Sequence, residues 1–343
     1  MRHFGFSIMV SLMLLAVAGG WGFHNAGLAG LVHALWITLI LGVLEVSLSF
    51  DNAVVNASVL KHWSPFWQKL FLGLGILVAV FGMRLLFPLV IVSQATGLEL
   101  MKVWNLALVD PHEYSRHLGA SHAQVAAFGG MFLLLVFLNF FFNQEKKIHW
   151  FSPLEKHLPR IGKMGPVTII LALLSLLGTV SLVSQETQDC VLRSGVWGIV
   201  VYGTVRLLSD FLEGDESDGG AGHVLMRGSL GGFLYLEVLD ASFSFDGVIG
   251  AFAITTDVVL VMMGLGIGAM FVRSLTVFLV HRKTLARYVY LEHGAHYAIG
   301  ALAVIMLSSI NVHVPEMVTG LIGLFLIGLS LISSFHARKV NGA

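Results

Sequence analysis

Residues 41–52 read Leu-Gly-Val-Leu-Glu-Val-Ser-Leu-Ser-Phe-Asp-Asn, and residues 236–247 read Leu-Glu-Val-Leu-Asp-Ala-Ser-Phe-Ser-Phe-Asp-Gly. Seven of the twelve positions are identical when the two stretches are aligned at an offset of 195 residues. Chance matches of leucine and valine are common among hydrophobic segments, but two serines and an aspartate in the same order are not. An acidic residue also precedes each aspartate by six positions. The two stretches, called here the first and second motif, therefore indicate an internal repeat.

Both motifs lie in long apolar segments of a chain of 343 residues, of which 56% are hydrophobic and 12% are charged. Soluble domains carry about 25% charged residues, so this composition predicts that lipid covers much of the surface. A helix that spans a membrane needs about 20 mostly apolar residues. Ten such segments are predicted, and the first is interpreted as a membrane helix in preference to a signal peptide. They are residues 4–22, 28–50, 68–92, 123–143, 166–184, 194–209, 228–254, 258–280, 295–311 and 316–335. The sequence thus predicts an all-α polytopic membrane protein.

The predicted order of the segments gives one membrane domain, residues 1–343, with an inverted three-helix repeat. Five crossings separate the two motif helices, so the two copies must run in opposite directions. Inverted repeats are a common plan among secondary transporters, with the substrate site where the copies meet near the midplane. The predicted parts are an N-terminal helix (1–27), the first repeat (28–143), a linker with two helices (144–224), the second repeat (225–311) and a C-terminal helix (312–343).

Lysine and arginine are distributed unequally between the predicted connectors. With a cytoplasmic N-terminus, the cytoplasmic connectors hold 14 of these residues, the opposite side holds three, and three lie within helices. This bias follows the positive-inside rule and predicts that both termini are cytoplasmic.

The net charge is zero, so nucleic acid is not a predicted partner. The acidic stretch 213–220 is interpreted as a solvated loop in preference to a metal-collecting segment.

Five acidic residues lie inside the apolar segments that carry the repeat. An ionisable group at the bilayer centre costs at least about 2.5–3.5 kcal/mol, so these side chains must face protein, water, a cation or one another. Carboxylate and amide oxygens suit hard divalent cations such as Ca²⁺, Mg²⁺ and Mn²⁺. The predicted metal ligands are Glu45, Asp51, Asn52, Glu237, Asp240 and Asp246. The cation is expected as a substrate and not as a tightly bound cofactor. In the alternative interpretation, the acids pair with Arg84 and Arg273 and only hold helices together.

The spacing of the acids constrains the motif helices. Two residues six positions apart on an ideal helix point about 120° apart, so Glu45 and Asp51 would diverge. Asp240 and Asp246 have the same spacing. Serine and asparagine can satisfy freed backbone groups, and glycine tolerates non-helical angles. Interruptions are therefore predicted at residues 47–52 and 242–247.

The two motifs resemble those of the TerC family, the tellurium-resistance integral membrane proteins. The first motif of that family, Glu-x-x-Leu-Ser-x-Asp-Asn, is matched from Glu45 to Asn52. Its second, Glu-x-x-Asp-x-x-Phe-Ser-x-Asp, is matched by residues 237–246, but Gly247 stands where serine is expected, and the linker between the repeats is long. The resemblance implies divalent metal transport, with Mn²⁺ efflux as the best-supported activity of relatives.

The leading functional hypothesis is a secondary transporter in a bacterial inner membrane that exports Mn²⁺ or Ca²⁺ through a carboxylate site formed by the two repeats. Proton exchange is an expected companion, because crowded carboxylates hold protons when no cation is bound. The alternative is a non-transporting membrane component of a metal- or envelope-stress complex. An intramembrane aspartyl protease would need a signature such as Gly-x-Gly-Asp, and ATP-driven pumping would need Gly-x-x-x-x-Gly-Lys. Neither signature occurs in the sequence, so an enzyme is not predicted.

Overall fold

A computed structural model describes residues 4–75, 78–143, 146, 148–151, 166–213, 229–281, 288–312 and 314–340, and all the regular elements in those ranges are helices. The described residues of the ten predicted apolar segments are almost entirely helical, and residues 68–92 are divided among α-helical and π-helical stretches. Five helices among the described residues are long and apolar enough to cross a membrane. They are Gly5–Leu48, His122–Phe141, Gln185–Leu208, Val258–His281 and Val318–Ala337. The prediction of an all-α polytopic membrane protein is confirmed.

The elements before residue 122 are α1 (Gly5–Leu48), α2 (Phe50–Leu60), α3 (Pro65–Leu70), two π-helical stretches, π1 (Phe71–Gly75) and π2 (Val78–Leu86), then α4 (Phe87–Thr96), α5 (Leu100–Val109) and α6 (Pro111–Ala120). The later elements are α7 (His122–Phe141), α8 (Val167–Leu182), α9 (Gln185–Glu213), α10 (Leu230–Ile254), α11 (Val258–His281), α12 (Leu291–Ser309) and α13 (Glu316–Val340). Of the acidic stretch 213–220, which was interpreted as a solvated loop, residues 214–220 lie outside the described residues.

The element α1 is a hairpin of two helical arms. Ala26 and Gly27 have non-helical backbone angles, and Gly27 has a φ of 61°, which favours glycine. The arms then pack closely, since a Cβ on Gly22 would lie 2.3 Å from the carbonyl oxygen of Gly30. The predicted separation of the first two apolar segments is thereby confirmed.

The two motif helices differ. The first is interrupted as predicted, because α1 ends at Leu48, Ser49 (φ −102°, ψ 16°) lies between the helices and α2 begins at Phe50. The second prediction is wrong, since α10 runs without interruption through residues 242–247. Ser49 Oγ donates a hydrogen bond to Oε1 of Glu45, whereas Ser244 Oγ has no hydrogen-bond partner within the described structure. The interruption therefore coincides with a side-chain contact that the second motif does not make.

Residues 93–121, which lie between the third and fourth predicted membrane segments, are largely helical. It contains α5 and α6, and α6 begins after Asp110, whose side chain accepts a hydrogen bond from the backbone N–H of Glu113. Asp110 followed by Pro111 is a typical helix start, because aspartate caps the first turn and proline fits its first position. That signal could have predicted α6, which the ten apolar segments do not include.

The chain divides into two compact units, each made of three discontinuous segments. Unit 1 consists of residues 1–50, 71–122 and 243–278, and unit 2 consists of 51–70, 123–242 and 279–343. Two of the division points fall inside the motifs. Each unit therefore contains residues from both predicted repeats.

Close helix contacts at glycine organise both units. In unit 1, a Cβ on Gly264 of α11 would lie 2.4 Å from Cβ of Leu41 on α1. In unit 2, a Cβ on Gly294 of α12 would lie 2.5 Å from Cβ of Ser330 on α13. Small residues allow membrane helices to approach in this way, since association in lipid depends on van der Waals packing.

Candidate functional site

Glu45 lies near the end of α1 in unit 1 and is 1% exposed. Its Oε1 accepts hydrogen bonds from Ser49 Oγ, at 2.8 Å, and from Arg84 Nη2. The Glu45–Arg84 ion pair is buried on both sides. This contact agrees, for Glu45, with the alternative interpretation in which the intramembrane acids pair with arginine.

Two glycines leave space for the Glu45 side chain. A Cβ on Gly268 of α11 would lie 2.3 Å from Cβ of Glu45, and a Cβ on Gly247 of α10 would lie 2.8 Å from Oε2. Oε2 therefore faces the α10 backbone at the position where the motif resemblance leads one to expect serine. Any side chain at position 247 would meet the carboxylate.

Asp51 and Asn52 occupy the first turn of α2 in unit 2. Asp51 is 8% exposed, and its Oδ1 accepts a hydrogen bond of 3.0 Å from the backbone N–H of Asn52. Its Oδ2 faces α13, where a Cβ on Gly323 would lie 3.2 Å away. The Asn52 side-chain oxygen is buried without a hydrogen-bond partner in the described part of the chain. These two residues present uncommitted oxygen atoms inside the protein.

Glu237 and Asp240 lie on α10, also in unit 2. Glu237 is 6% exposed, and neither carboxylate oxygen has a hydrogen-bond partner among the described residues. Asp240, partly buried, is three residues further on, and residues at this spacing share one face of a helix. This face of α10 therefore carries two acids, of which one is buried and uncompensated.

The six predicted ligands divide between the two units. Glu45 and Asp246 belong to unit 1, and Asp51, Asn52, Glu237 and Asp240 belong to unit 2. The side chain of Asp246 is outside the described structure. No group of three or more His, Cys, Asp or Glu side chains within the described residues has a metal-binding arrangement.

The second membrane arginine makes a different contact from the first. Arg273 Nε donates a hydrogen bond to the carbonyl oxygen of Leu72, in π1, and its guanidinium lies 5.5 Å from the ring centre of Phe6. A π-helix alters the regular hydrogen-bond ladder, so a carbonyl there can accept a side-chain donor. Arg273 thus binds backbone, whereas Arg84 binds a carboxylate.

Histidines of unit 2 take part in packing. The His296 ring stacks on Phe140 with centroids 3.7 Å apart, and its Nδ1 bonds the carbonyl of Glu292. The His293 Nε2 lies 2.9 Å from the Ile148 carbonyl oxygen. These rings connect α12 to α7 and to the segment after α7.

An ion pair that the sequence did not indicate links Lys61 to Glu292, with 2.6 Å between Nζ and Oε2. Lys61 lies between the second and third predicted membrane segments, and Glu292 lies just before the ninth. Burial acts to raise the pKa of the Glu292 carboxyl, but the Lys61 ammonium and nearby histidines act in the opposite direction, and the net pKa is lowered. The pair therefore favours a charged Glu292 at the start of α12.

The fold and the buried acids define a class: a helical membrane protein with ionisable side chains inside its membrane segments. The family described as "Protein of unknown function (DUF475)" matches residues 50–341, and the chain belongs to this family. The match covers Asp51, Asn52 and the second motif, and it begins after Glu45. Comparison with curated proteins and with solved structures gave no match.

Proposed function

We propose that this protein is a secondary transporter that exports a divalent metal cation, Mn²⁺ or Ca²⁺, with ligands from the acids of the two motifs. The observation that carries the proposal is Glu237, whose carboxylate is buried in α10 without a hydrogen-bond partner among the described residues. A buried carboxylate without a partner is strongly unfavourable, so it must be protonated or bind a cation. A transporter that exchanges protons for a metal ion would use both the protonated and the cation-bound carboxylate.

The ligand chemistry supports a hard cation. Asp51, Asn52 and Glu237 can all bind a cation through side-chain oxygen atoms, and Ca²⁺, Mg²⁺ and Mn²⁺ prefer oxygen ligands. One divalent ion balances two ionised carboxylates, so further carboxylate ligands would keep a proton or require a second cation. Metal movement would then be accompanied by proton movement, and an inward proton gradient would favour metal export.

The proposed location is a bacterial inner membrane with both termini in the cytoplasm. The 14-to-three distribution of lysine and arginine between predicted connectors supports this orientation. The resemblance of the motifs to the TerC family supports both the location and the choice of metal.

One contact favours the alternative function, a non-transporting component of a metal- or envelope-stress complex. Glu45 is paired with Arg84 and Ser49, which is how an acid that only holds helices together would be bound. Glu237 has no such partner in the described structure, so the transporter remains the better-supported proposal.

Ion flux into proteoliposomes tests the proposal directly. We expect the wild-type protein to move Mn²⁺ or Ca²⁺ when a proton gradient is imposed, with protein-free vesicles as the control. A panel containing Mn²⁺, Ca²⁺, Mg²⁺ and Zn²⁺ would identify the preferred ion. If no divalent ion moves under either direction of the gradient, the transporter proposal is wrong.

Single cysteines test the proposed orientation. After replacement of the native Cys190 by serine, cysteine would be placed at Ser64 or at Glu99, both exposed between helices. A membrane-impermeant maleimide added to intact cells should label position 99 and not position 64, because these connectors are predicted on opposite sides. Permeabilised cells should label both. Labelling of position 64 in intact cells would contradict the orientation.

A further inference from the structure

Arg84, in π2, forms an ion pair with the carboxylate of Glu45, in α1. The pair is buried, and the guanidinium contacts Oε1 of Glu45, one of the proposed cation ligands. We propose that Arg84 is a tethered cation that occupies the Glu45 carboxylate until a substrate cation displaces it. This inference rests on the proposed function and adds the residue that regulates access to Glu45.

Competition follows from charge and space. Oε1 already accepts bonds from Ser49 and Arg84, and Oε2 faces Gly247. A divalent cation bound to the same carboxylate would lie next to the Arg84 guanidinium. The two positive charges would repel each other strongly, because the protein interior has a low dielectric constant. Bound metal and the Arg84–Glu45 contact therefore exclude each other. Arg84 would keep Glu45 compensated while the protein is empty.

The backbone around Arg84 provides a way to move it. Arg84 lies in π2, and π-helical turns are uncommon and often occur at functional sites. A change from a π-turn to an α-turn removes one residue from the turn and rotates the residues that follow by about 100°. Such a rotation would withdraw the Arg84 side chain from Glu45 without unfolding the helix. Arg273, in contrast, lies in the regular helix α11 and binds a backbone carbonyl.

The test measures the Mn²⁺ concentration that half-saturates binding to the purified protein. Arg84→Gln removes the tethered charge, and we expect half-saturation at a concentration lower by about tenfold, within the usual range of coupling between two ligands. Arg84→Lys keeps the charge and should restore a value near that of the wild type. Arg273→Gln is the matched control and should leave half-saturation unchanged. A purely structural Arg84 would give weaker binding or none in the glutamine variant.

A second measurement uses the wild-type protein, in case Arg84→Gln does not fold. Phenylglyoxal modifies accessible arginines, and peptide mass spectrometry locates the product. Saturating Mn²⁺ should increase modification of Arg84 and leave that of Arg273 unchanged. If Mn²⁺ binds but neither tighter binding nor greater modification is found, the tethered-cation proposal is wrong while the transporter proposal stands. If the wild type binds and moves no divalent ion, both are wrong.

Discussion

Replacement of Glu237 by glutamine should abolish cation transport and leave the protein at least as stable as the wild type. The carboxylate is buried in a membrane helix without a hydrogen-bond partner in the described structure, so its charge does not stabilise the fold. Glutamine keeps the shape and removes the charge. An acid that held helices together would give the opposite result, since its replacement would lower stability.

The loss of transport should be large. Removal of one partner from a buried charge pair costs about 3–5 kcal/mol, which corresponds to at least about 100-fold in affinity. Asp51→Asn should have a similar effect, because the Asp51 carboxylate accepts a hydrogen bond from the backbone N–H of Asn52 and its Oδ2 faces Gly323. Mn²⁺ flux in proteoliposomes and thermal unfolding of the purified variants are the two measurements.

Asp257→Asn is the matched control. Asp257 accepts hydrogen bonds from the backbone N–H groups of Val259 and Leu260 at the start of α11 and from Trp21 Nε1. Asparagine caps helices about as well as aspartate and loses only the exposed hydrogen bond from Trp21 Nε1, so flux should be unchanged and stability should fall by no more than about 1 kcal/mol. Wild-type flux in Glu237→Gln and Asp51→Asn would contradict their assignment as cation ligands.

Hydropathy was sufficient to locate the long apolar helices. The described residues of all ten predicted segments are almost entirely helical, because the length of an apolar run reports directly on the thickness of the bilayer. The spacing of Glu45 and Asp51 correctly predicted the interruption at Ser49, but the same spacing of Asp240 and Asp246 wrongly predicted one in α10. The helices α5 and α6 were missed because their sequences are not long apolar runs, although Asp110 and Pro111 form a recognisable helix start.

The uninterrupted α10 shows where the comparison of motifs was insufficient. Glu45 and Asp240 occupy equivalent positions, and the serines four residues later are equivalent too. The longer glutamate side chain bonds Ser49, whereas Ser244 has no hydrogen-bond partner in the described structure. The side chains of Glu45 and Asp240 differ by one methylene group, and the helices that carry them differ in local structure. The similarity of the two motifs does not reveal this difference.

Partners far apart in the chain were not predictable from the sequence. Nothing in an apolar segment distinguishes Gly323, which faces Asp51, from Gly328, which has no atom within 4 Å of a Cβ position. The contact between Arg84 and Glu45 was only one of several pairings that the sequence allowed. Such contacts depend on how helices pack, and many packings satisfy the same hydropathy pattern.

The second large effect is expected for Gly268→Ala, which should destabilise the protein and abolish transport together. The added Cβ would lie 2.3 Å from Cβ of Glu45 and 3.0 Å from the carbonyl oxygen of Gly42. Neither atom is at the end of a flexible side chain, so α1 and α11 would have to separate. Overpacking commonly lowers the free energy of unfolding by about 1–3 kcal/mol. Because the backbone would be displaced in this variant, we expect a loss of about 3 kcal/mol or more. The separation would also move Glu45 away from Arg84.

Gly20→Ala is the control that isolates this effect, because it makes the same chemical change in the same unit. Gly20 lies in the first arm of α1, and a Cβ there would meet no atom within 4 Å. Alanine is favoured over glycine within a helix by about 0.5–1 kcal/mol, so this variant should unfold at the same temperature as the wild type or slightly higher. Thermal unfolding in detergent and Mn²⁺ flux would be measured for both. If Gly268→Ala matches Gly20→Ala in both measurements, the close contact between α11 and Glu45 is not a feature of the folded protein. If it lowers stability but keeps full flux, Glu45 can be displaced without loss of function and is not a cation ligand.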